Sequence, residues 1–273
     1  MLDFTHYLAF MIFDPLYIGL GFLVGVIVGL TGVGGGSLMT PMLIFFFGIK
    51  PALAIGTDLL FAAITKSAGA LKHQQHGNID WRITGLLALG SLPTACLTLW
   101  WLHGADIDSE AINNYMKTTL GVMLFLTAGA ILVTQVLRKQ RVIEHPHGQH
   151  SELVSPKRKA LAVLLGVVLG FVVTFSSVGA GAIGMLALYA LYSNSPAVRL
   201  VGSDIAHAVP LTLIAGLGHA GLGSVDYNLL IVLLIGSIPG IWLGSHLSTK
   251  ASDRMLRILL CVILSVSGYK LLA

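Results

Sequence analysis

Charged side chains are scarce in this sequence. Asp, Glu, Lys and Arg make up 10% of its 273 residues, whereas hydrophobic residues make up 55%. A soluble domain carries about 25% charged residues, and the mean hydropathy of this chain is +0.86. The chain is therefore expected to be an integral membrane protein in a lipid bilayer. Its formal net charge of +4 should report membrane orientation, and it does not indicate nucleic-acid binding.

Several sequence signals for other protein classes are absent. The two cysteines, Cys96 and Cys261, lie inside apolar runs without metal-ligand spacing, so we predict no metal and no cofactor. No HExxH or GxSxG motif occurs, which argues against an enzyme. The first 14 residues contain no Lys or Arg and lack the basic region of a secretory signal. Residues 1–12 are expected to form an N-terminal tail.

Long apolar runs occupy most of the chain. A membrane-spanning helix needs about 20 residues, and two of the runs, each near 11 residues, are shorter than that. The pattern predicts an all-α, polytopic transmembrane protein. The predicted helices are 13–31, 37–47, 51–72, 81–102, 112–137, 161–178, 182–192, 196–219, 227–247 and 255–272.

A glycine-rich stretch separates the first two apolar runs. It includes Gly32, Gly34, Gly35 and Gly36. Each glycine costs roughly 1 kcal/mol in a helix interior, so the helix should break here. Unpaired backbone at membrane depth is tolerated only where it is buried in protein or lines a polar cavity. The stretch therefore predicts a substrate site made of unwound backbone.

The sequence repeats itself. Val33-Gly34-Gly35-Gly36 corresponds to Val178-Gly179-Ala180-Gly181, 145 positions later, and Gly56-Thr57-Asp58 corresponds to Gly202-Ser203-Asp204, 146 positions later. Three further pairs share these offsets. We interpret the chain as two related halves, 13–137 and 160–273, joined by a polar linker at 138–159. The other pairs are Pro51-Ala52 with Pro196-Ala197, Gly77–Asp80 with Gly223–Asp226, and Gly90–Pro93 with Gly236–Pro239.

The distribution of Lys and Arg predicts the orientation of the halves. The linker is basic and should be cytoplasmic. The loop at 73–81 has flanking basic residues, whereas its counterpart at 220–226 has none. Matched loops thus face opposite sides, so the halves are predicted to be inverted repeats. In secondary transporters with inverted repeats, short or broken helices in matching positions mark the binding site. The basic residues of the linker are Arg138, Lys139, Arg141, Lys157, Arg158 and Lys159.

The motif Gly32-Val33-Gly34-Gly35-Gly36 with Pro41, the following Gly56-Thr57 and the degenerate second copy resemble the TauE/SafE sulfite exporter family. The resemblance covers nearly the whole chain. It implies a permease of the bacterial inner membrane that exports or takes up sulfite, sulfonates or related organosulfur anions. Asp58 departs from the family pattern, in which a small polar residue is common, so the coupling ion and the substrate stay open.

Backbone N–H groups at the start of a short helix and nearby hydroxyl groups suit an oxyanion. The alternative is that the glycines allow tight helix packing. No Lys-Ser/Thr pair follows them, which argues against a nucleotide loop. The predicted substrate-binding residues are Thr31, Gly32, Gly34, Gly35, Gly36, Ser37, Ser176, Ser177, Gly179, Ala180 and Gly181.

Four ionisable residues lie inside apolar helices: Asp58, Lys66, Asp204 and His207. Such groups are costly at membrane depth and are candidates for function. Burial favours the neutral form of a carboxylic acid, so the two aspartates are candidate proton carriers. The alternative is a structural network in which each aspartate accepts from backbone or hydroxyl donors and Lys66 extends toward the membrane surface.

The remaining histidines have simpler interpretations. Those at predicted helix ends are expected to make interfacial contacts, and those in the linker should belong to a flexible cytoplasmic tether. The former are His73, His76, His103, His219 and His246, and the latter are His145, His147 and His150.

These observations together predict a secondary transporter for a small sulfur-containing anion. It would work by alternating access, with proton coupling as one option. A passive anion channel and an intramembrane enzyme are the alternatives. The oligomeric state is open, with a homodimer as one option.

The predicted inversion can be tested with matched positions. Gln75 and Gly221 are 146 positions apart, in the matched loops at 73–81 and 220–226. In a chain whose native cysteines are replaced by serine, we expect Gly221→Cys to react with an impermeant maleimide in intact cells. Gln75→Cys should react only after permeabilisation. Labelling of both from the same side would contradict the inversion.

Overall fold

The computed structural model describes residues 15–31, 36–105, 107, 109–144, 155–193, 195–247 and 253–273. Ten α-helices and no strand occur within those ranges. They are α1 Pro15–Thr31, α2 Gly36–Phe47, α3 Pro51–Gln75, α4 Trp81–Gly104, α5 Glu110–Glu144, α6 Pro156–Ser176, α7 Ala182–Leu191, α8 Ala197–Gly221, α9 Tyr227–Leu247 and α10 Asp253–Leu272.

Seven of these helices, α3 to α6 and α8 to α10, are long and apolar enough to cross a membrane. The other three, α1, α2 and α7, are shorter apolar helices. The predicted all-α, polytopic class is confirmed. The 12 residues of α2 and the 10 residues of α7 correspond to roughly 15 to 18 Å at a rise of 1.5 Å per residue.

Two helices extend beyond their predicted bounds. The helix α5 continues past 137 to Glu144, and α6 begins at Pro156 rather than at 161. Arg, Lys and Gln are good helix formers, so polar residues can continue a helix past the apolar run, and Pro156 suits a first helical turn. The predicted linker is therefore helical at both ends. Its His-rich part, 145–154, lies outside the described residues.

The helices α1 and α9 pack with their backbones in close contact. A Cβ added to Gly21, Gly25 or Gly29 would come within about 3 Å of the α9 backbone, at Leu233, Ser237 and Ile241 in turn. Because residue numbers rise together along both helices, α1 and α9 are parallel. Small residues permit such an approach where helices associate in a membrane.

The helices α4 and α6 form the same kind of pair. Gly166 and Gly170 of α6 abut the backbone of Leu87 and Ser91 in α4. These four residues follow from Gly21, Gly25, Leu233 and Ser237 by the offsets of 145 and 146. Each half thus contributes its first helix to a pair with the fourth helix of the other half. These glycines lie outside the two glycine-rich stretches for which tight packing was the alternative interpretation.

The helices α3 and α8 form the central pair. The amide of Asp80, just after α3, donates to Ser203 Oγ near the start of α8, at 2.8 Å. The amide of Asp226, beyond the end of α8, donates to Thr57 Oγ1 near the start of α3, at 3.0 Å. The two helices are therefore antiparallel. The two hydrogen bonds are also equivalent under the offset of 146.

Polar and apolar side chains are distributed as a bilayer demands. Large apolar side chains such as Leu97, Trp100 and Trp242 are exposed, while Asp58, Asp204, His207 and other polar groups are buried between helices. A lipid-facing surface needs no polar side chains, and buried polar groups need partners within the protein. Asp58, Asp204 and His207 all belong to the central pair of helices, α3 and α8.

The glycine contacts predict a measurable asymmetry between two substitutions. In Gly166→Ala, the new methyl group would meet the carbonyl oxygen of Leu87, whereas in Gly85→Ala it would meet nothing within 4 Å. Overpacking costs about 1–3 kcal/mol, so Gly166→Ala should lower the thermal unfolding midpoint in detergent, and Gly85→Ala should not. Equal midpoints would contradict backbone contact between α4 and α6.

Candidate functional site

The chain unwinds between α6 and α7. Ser177 adopts the left-handed conformation with φ 58°, and Gly179 and Gly181 have φ values of 119° and 125°. The last two values are accessible to glycine and strained for other residues. No side-chain hydrogen bond caps the start of α7 at Gly181. The predicted second break is therefore present. The amide of Gly184 donates back to the carbonyl oxygen of Gly179 at 3.2 Å, so the N–H groups of Ala182 and Ile183 are the first ones without partners within the helix.

The two serines before this break have separate roles. Ser176 Oγ donates to the carbonyl oxygen of Val172 at 2.8 Å, and it accepts from the amide of Val178 at 3.3 Å. Ser177 Oγ donates to the Asp58 carboxylate at 2.9 Å. Both were predicted as substrate ligands, and in the structure their hydroxyl groups hydrogen-bond within the protein.

The first break is described only in part. Gly32, Gly34 and Gly35 lie outside the described residues. Thr31 ends α1 and Gly36 begins α2, and the side chains of Thr31 and Ser37 also lie outside the description. Their predicted role in substrate binding stays a prediction.

Asp58 joins both halves of the chain. It is fully buried in α3. Its Oδ2 accepts hydrogen bonds from Thr40 of α2 and from Ser177 of the α6–α7 break. Its Oδ1 has no hydrogen-bond partner within the described part of the chain. One carboxylate oxygen therefore ties a short helix of the first half to the unwound backbone of the second.

Lys66 lies two turns farther along α3. Its side chain is half-buried, and Nζ donates to the carbonyl oxygen of Ala180 in the break at 3.5 Å. The ammonium group interacts electrostatically with both Asp58 and Asp204. Lys66 thus reaches the break, which does not support a side chain extending to the membrane surface. The hydroxyl donors of Asp58 do match the structural network of that alternative.

Asp204 is the counterpart of Asp58 on α8, with different surroundings. Its side chain is 2% exposed, and Oδ1 has no hydrogen-bond partner among the described residues. It faces the first turn of α7, since a Cβ at Gly184 would lie 2.5 Å from Oδ1. Thr40 and Ser177, which bind Asp58, correspond under the offset of 145 to Met185 and Gly32. Asp204 therefore lacks the two hydroxyl donors.

His207 lies one turn beyond Asp204, as its spacing predicts. Its Nε2 is 2.7 Å from Ser91 Oγ in α4, while Nδ1 is buried without a hydrogen-bond partner in the described ranges. His207 also interacts electrostatically with Lys66. The four predicted ionisable residues are therefore brought together around the α6–α7 break.

Two polar residues near these groups were missed or misplaced from the sequence. Thr40 was not singled out, because a threonine in an apolar helix gives no signal of its own. His219 was predicted at an interface, and this is wrong, because it is fully buried. Its Nε2 donates to the carbonyl oxygen of Thr174 at 2.9 Å, and Nδ1 is 2.9 Å from Ser224 Oγ. The sequence offered one signal that His219 is more than an interfacial residue: it lies 146 positions after His73, at the offset of the repeat.

The described residues contain no cluster of three or more His, Cys, Asp or Glu side chains suited to a metal ion. The arrangement instead provides one ammonium group, two carboxyl groups, an imidazole and an uncapped helix start. It is enclosed by helices from both halves and surrounded by apolar helices long enough to cross a membrane. These features define a polytopic membrane protein with a buried ionisable site at a broken helix.

Comparison with known proteins agrees with that class. The family model described as "Sulfite exporter TauE/SafE" matches residues 17–271. The chain belongs to the TauE/SafE family, as the resemblance predicted, and it is a membrane transporter rather than an enzyme.

Relatives occur in bacteria and archaea. The chain is 42% identical over 254 residues to the "Probable membrane transporter protein YjnA" of Bacillus subtilis, covering 93% of this chain and 97% of that protein. It is 28% identical over 276 residues to the "Probable membrane transporter protein MJ0441" of Methanocaldococcus jannaschii, covering 95% of each. No solved structure gives a significant match.

The buried hydrogen bonds of His219 predict a cost for its replacement. In His219→Phe, the Thr174 carbonyl oxygen and Ser224 Oγ each lose a partner. An unsatisfied buried polar group costs about 1–3 kcal/mol, so the thermal unfolding midpoint should fall. His246→Phe, at an exposed position, serves as the control and should leave the midpoint close to that of the wild type.

Proposed function

We propose that the protein is a secondary transporter of a small sulfur-containing anion, such as sulfite or a sulfonate, in the bacterial inner membrane. The family description names sulfite export, which supports this anion class. The central linker would face the cytoplasm, in accordance with its basic residues.

Alternating access between two inverted halves is the mechanism that we infer. The observation that carries it is the Asp58 carboxylate, which accepts from Thr40 in one half and from Ser177 in the other. A relative movement of the halves would change these contacts. Inverted-repeat transporters use broken helices near the membrane midplane in this way, and the antiparallel pair α3–α8 fits that arrangement.

The buried acids are the proposed link to the proton gradient. Asp58 and Asp204 are both buried, each with one carboxyl oxygen free of hydrogen bonds within the described residues. A carboxyl group at such a site favours its neutral form and can accept a proton from either side when access changes. A passive anion channel would have no need for such groups.

Reconstituted flux separates these functions. In proteoliposomes with an imposed pH gradient, uptake of labelled sulfite or isethionate should saturate with concentration and exceed the equilibrium level. Flux that rises linearly with concentration and ignores the pH gradient would instead establish a channel.

Substitution of the acids sharpens this test. Asp204→Asn should abolish accumulation while counterflow exchange continues, because the exchangeable carboxyl group is lost. Asp58→Asn should also lower accumulation, because a neutral amide oxygen accepts from Thr40 and Ser177 more weakly than a carboxylate does, which loosens the link between the halves. Glu110→Gln, an equivalent change at an exposed residue, should accumulate substrate like the wild type. Normal accumulation in both aspartate variants would exclude their role in coupling.

A further inference from the structure

We propose that Lys66 and the N-terminal turn of α7 bind the substrate anion, and that the anion enters only when Asp204 carries a proton. Each anion would then travel with one proton. This inference rests on the proposed function and assigns the binding residues and the coupling within that site.

The ammonium group of Lys66 is placed at the entrance to α7. Its Nζ donates to the Ala180 carbonyl oxygen at 3.5 Å, one residue before Gly181 and the uncapped start of the helix. A helix N-terminus favours negative charge, and its free N–H groups donate to anions. The two positive features therefore lie next to each other at the break.

Asp204 lies against the same helix turn. Its Oδ1 is close to Gly184 in the first turn of α7, and it is buried without a hydrogen-bond partner among the described residues. A buried carboxyl oxygen without a hydrogen-bond partner, next to a helix N-terminus, indicates a group that can gain or lose a proton during the transport cycle. When ionised, Asp204 provides a negative charge where the substrate would place its own.

The formal charges of Asp58, Asp204 and Lys66 explain why a proton should accompany the anion. With His207 neutral, two ionised aspartates and Lys66 leave the site with one negative charge, and a bound monoanion would raise this to two. Protonation of one aspartate from the solvent neutralises the empty site. The bound anion then restores the same single negative charge. Two like charges close together in a site of low polarity repel strongly. The site should therefore hold either the bound anion or a second ionised carboxylate, but not both.

Differences between the halves identify Asp204 as the residue that takes the proton. Two hydroxyl groups already donate to Asp58 Oδ2, so this carboxyl group is engaged in contacts within the protein. Asp204 has neither donor. Lys66 also has no cationic counterpart, since the offset of 146 leads to Thr212, whose hydroxyl donates to the Ala208 carbonyl oxygen. The anion site is therefore expected on the side of the second break.

The other polar groups facing this site are few in the described residues. His207 on α8 is held by Ser91 of α4, Asp58 lies on α3, and α2 and the break contribute the neutral hydroxyl groups of Thr40 and Ser177. Asp58 and His207 are therefore the other candidates for the proton among the described residues, and the experiment includes both.

The test measures binding of methanesulfonate, which stays ionised across the neutral pH range, to the purified full-length protein. Where Asp204 is ionised, the wild-type affinity should fall about tenfold for each pH unit, as one proton per anion requires. A dye in weakly buffered solution should record uptake of one proton per bound anion. Asp204→Asn should bind with no dependence on pH and release or take up no proton. His207→Gln should keep the pH dependence of the wild type. Asp58→Asn, which removes one negative charge from the site, should keep a weaker pH dependence, because the ionised Asp204 still competes with the anion for the same place.

Lys66 is tested by a matched pair of substitutions. Lys66→Gln should weaken methanesulfonate binding at least tenfold at every pH, with partial recovery in Lys66→Arg. Lys72→Gln changes an exposed lysine of the same helix and should bind like the wild type. If Lys66→Gln cannot be purified, the Arg variant and Asp204→Asn carry the test.

The outcomes distinguish this inference from the proposed function. Suppose that the wild type binds methanesulfonate. If Lys66→Gln then binds it with the same affinity, or Asp204→Asn shows the same pH dependence as the wild type, the inference is overturned and the proposed transport function stands. Loss of the pH dependence in His207→Gln alone would move the proton to His207 and also overturn it. A wild type that binds neither methanesulfonate nor sulfite, sulfate or thiosulfate overturns both.

Discussion

The structure depends on one constraint, which is that backbone unwound among membrane helices must be satisfied by protein groups. The break between α6 and α7 places polar groups in an apolar surrounding, and two side chains of α3 provide hydrogen-bond partners for them. Lys66 donates to the Ala180 carbonyl oxygen, and Asp58 accepts from Ser177 beside the left-handed turn. In hydrocarbon such backbone would be several kcal/mol less stable per unpaired group. The ionisable residues are thus structural partners of the break as well as candidates for transport chemistry.

Much of the fold follows from the sequence for simple reasons. Spanning helices need apolar runs of a fixed length, and glycine clusters interrupt them, so the helices and the second break could be located. Asp58, Lys66, Asp204 and His207 were found because charge is rare in apolar helices. The polar ends of α5 and α6 were not found, since past the membrane surface the sequence no longer has to be apolar to stay helical.

Other parts of the site have no signal in a single sequence. Thr40 looks like any small residue of an apolar helix, and only packing of α2 on α3 brings it to Asp58. His219 looks interfacial by its place near a helix end, and the fold buries it against Thr174 of another helix. Contacts between distant segments set both outcomes. The repeat predicts equivalent positions, but it does not predict that Asp204 lacks the hydroxyl donors of Asp58.

The glycine contacts of α1 with α9 have a consequence for biosynthesis. The first helix enters the membrane long before its partner has been made, because α9 lies near the other end of the chain. Until then its glycine face meets lipid or a passing helix, and the same holds in milder form for α4, which waits for α6. The packing of α1 can therefore be completed only late in synthesis, when α9 has entered the membrane. A nascent chain that stops before α9 would leave α1 without its partner.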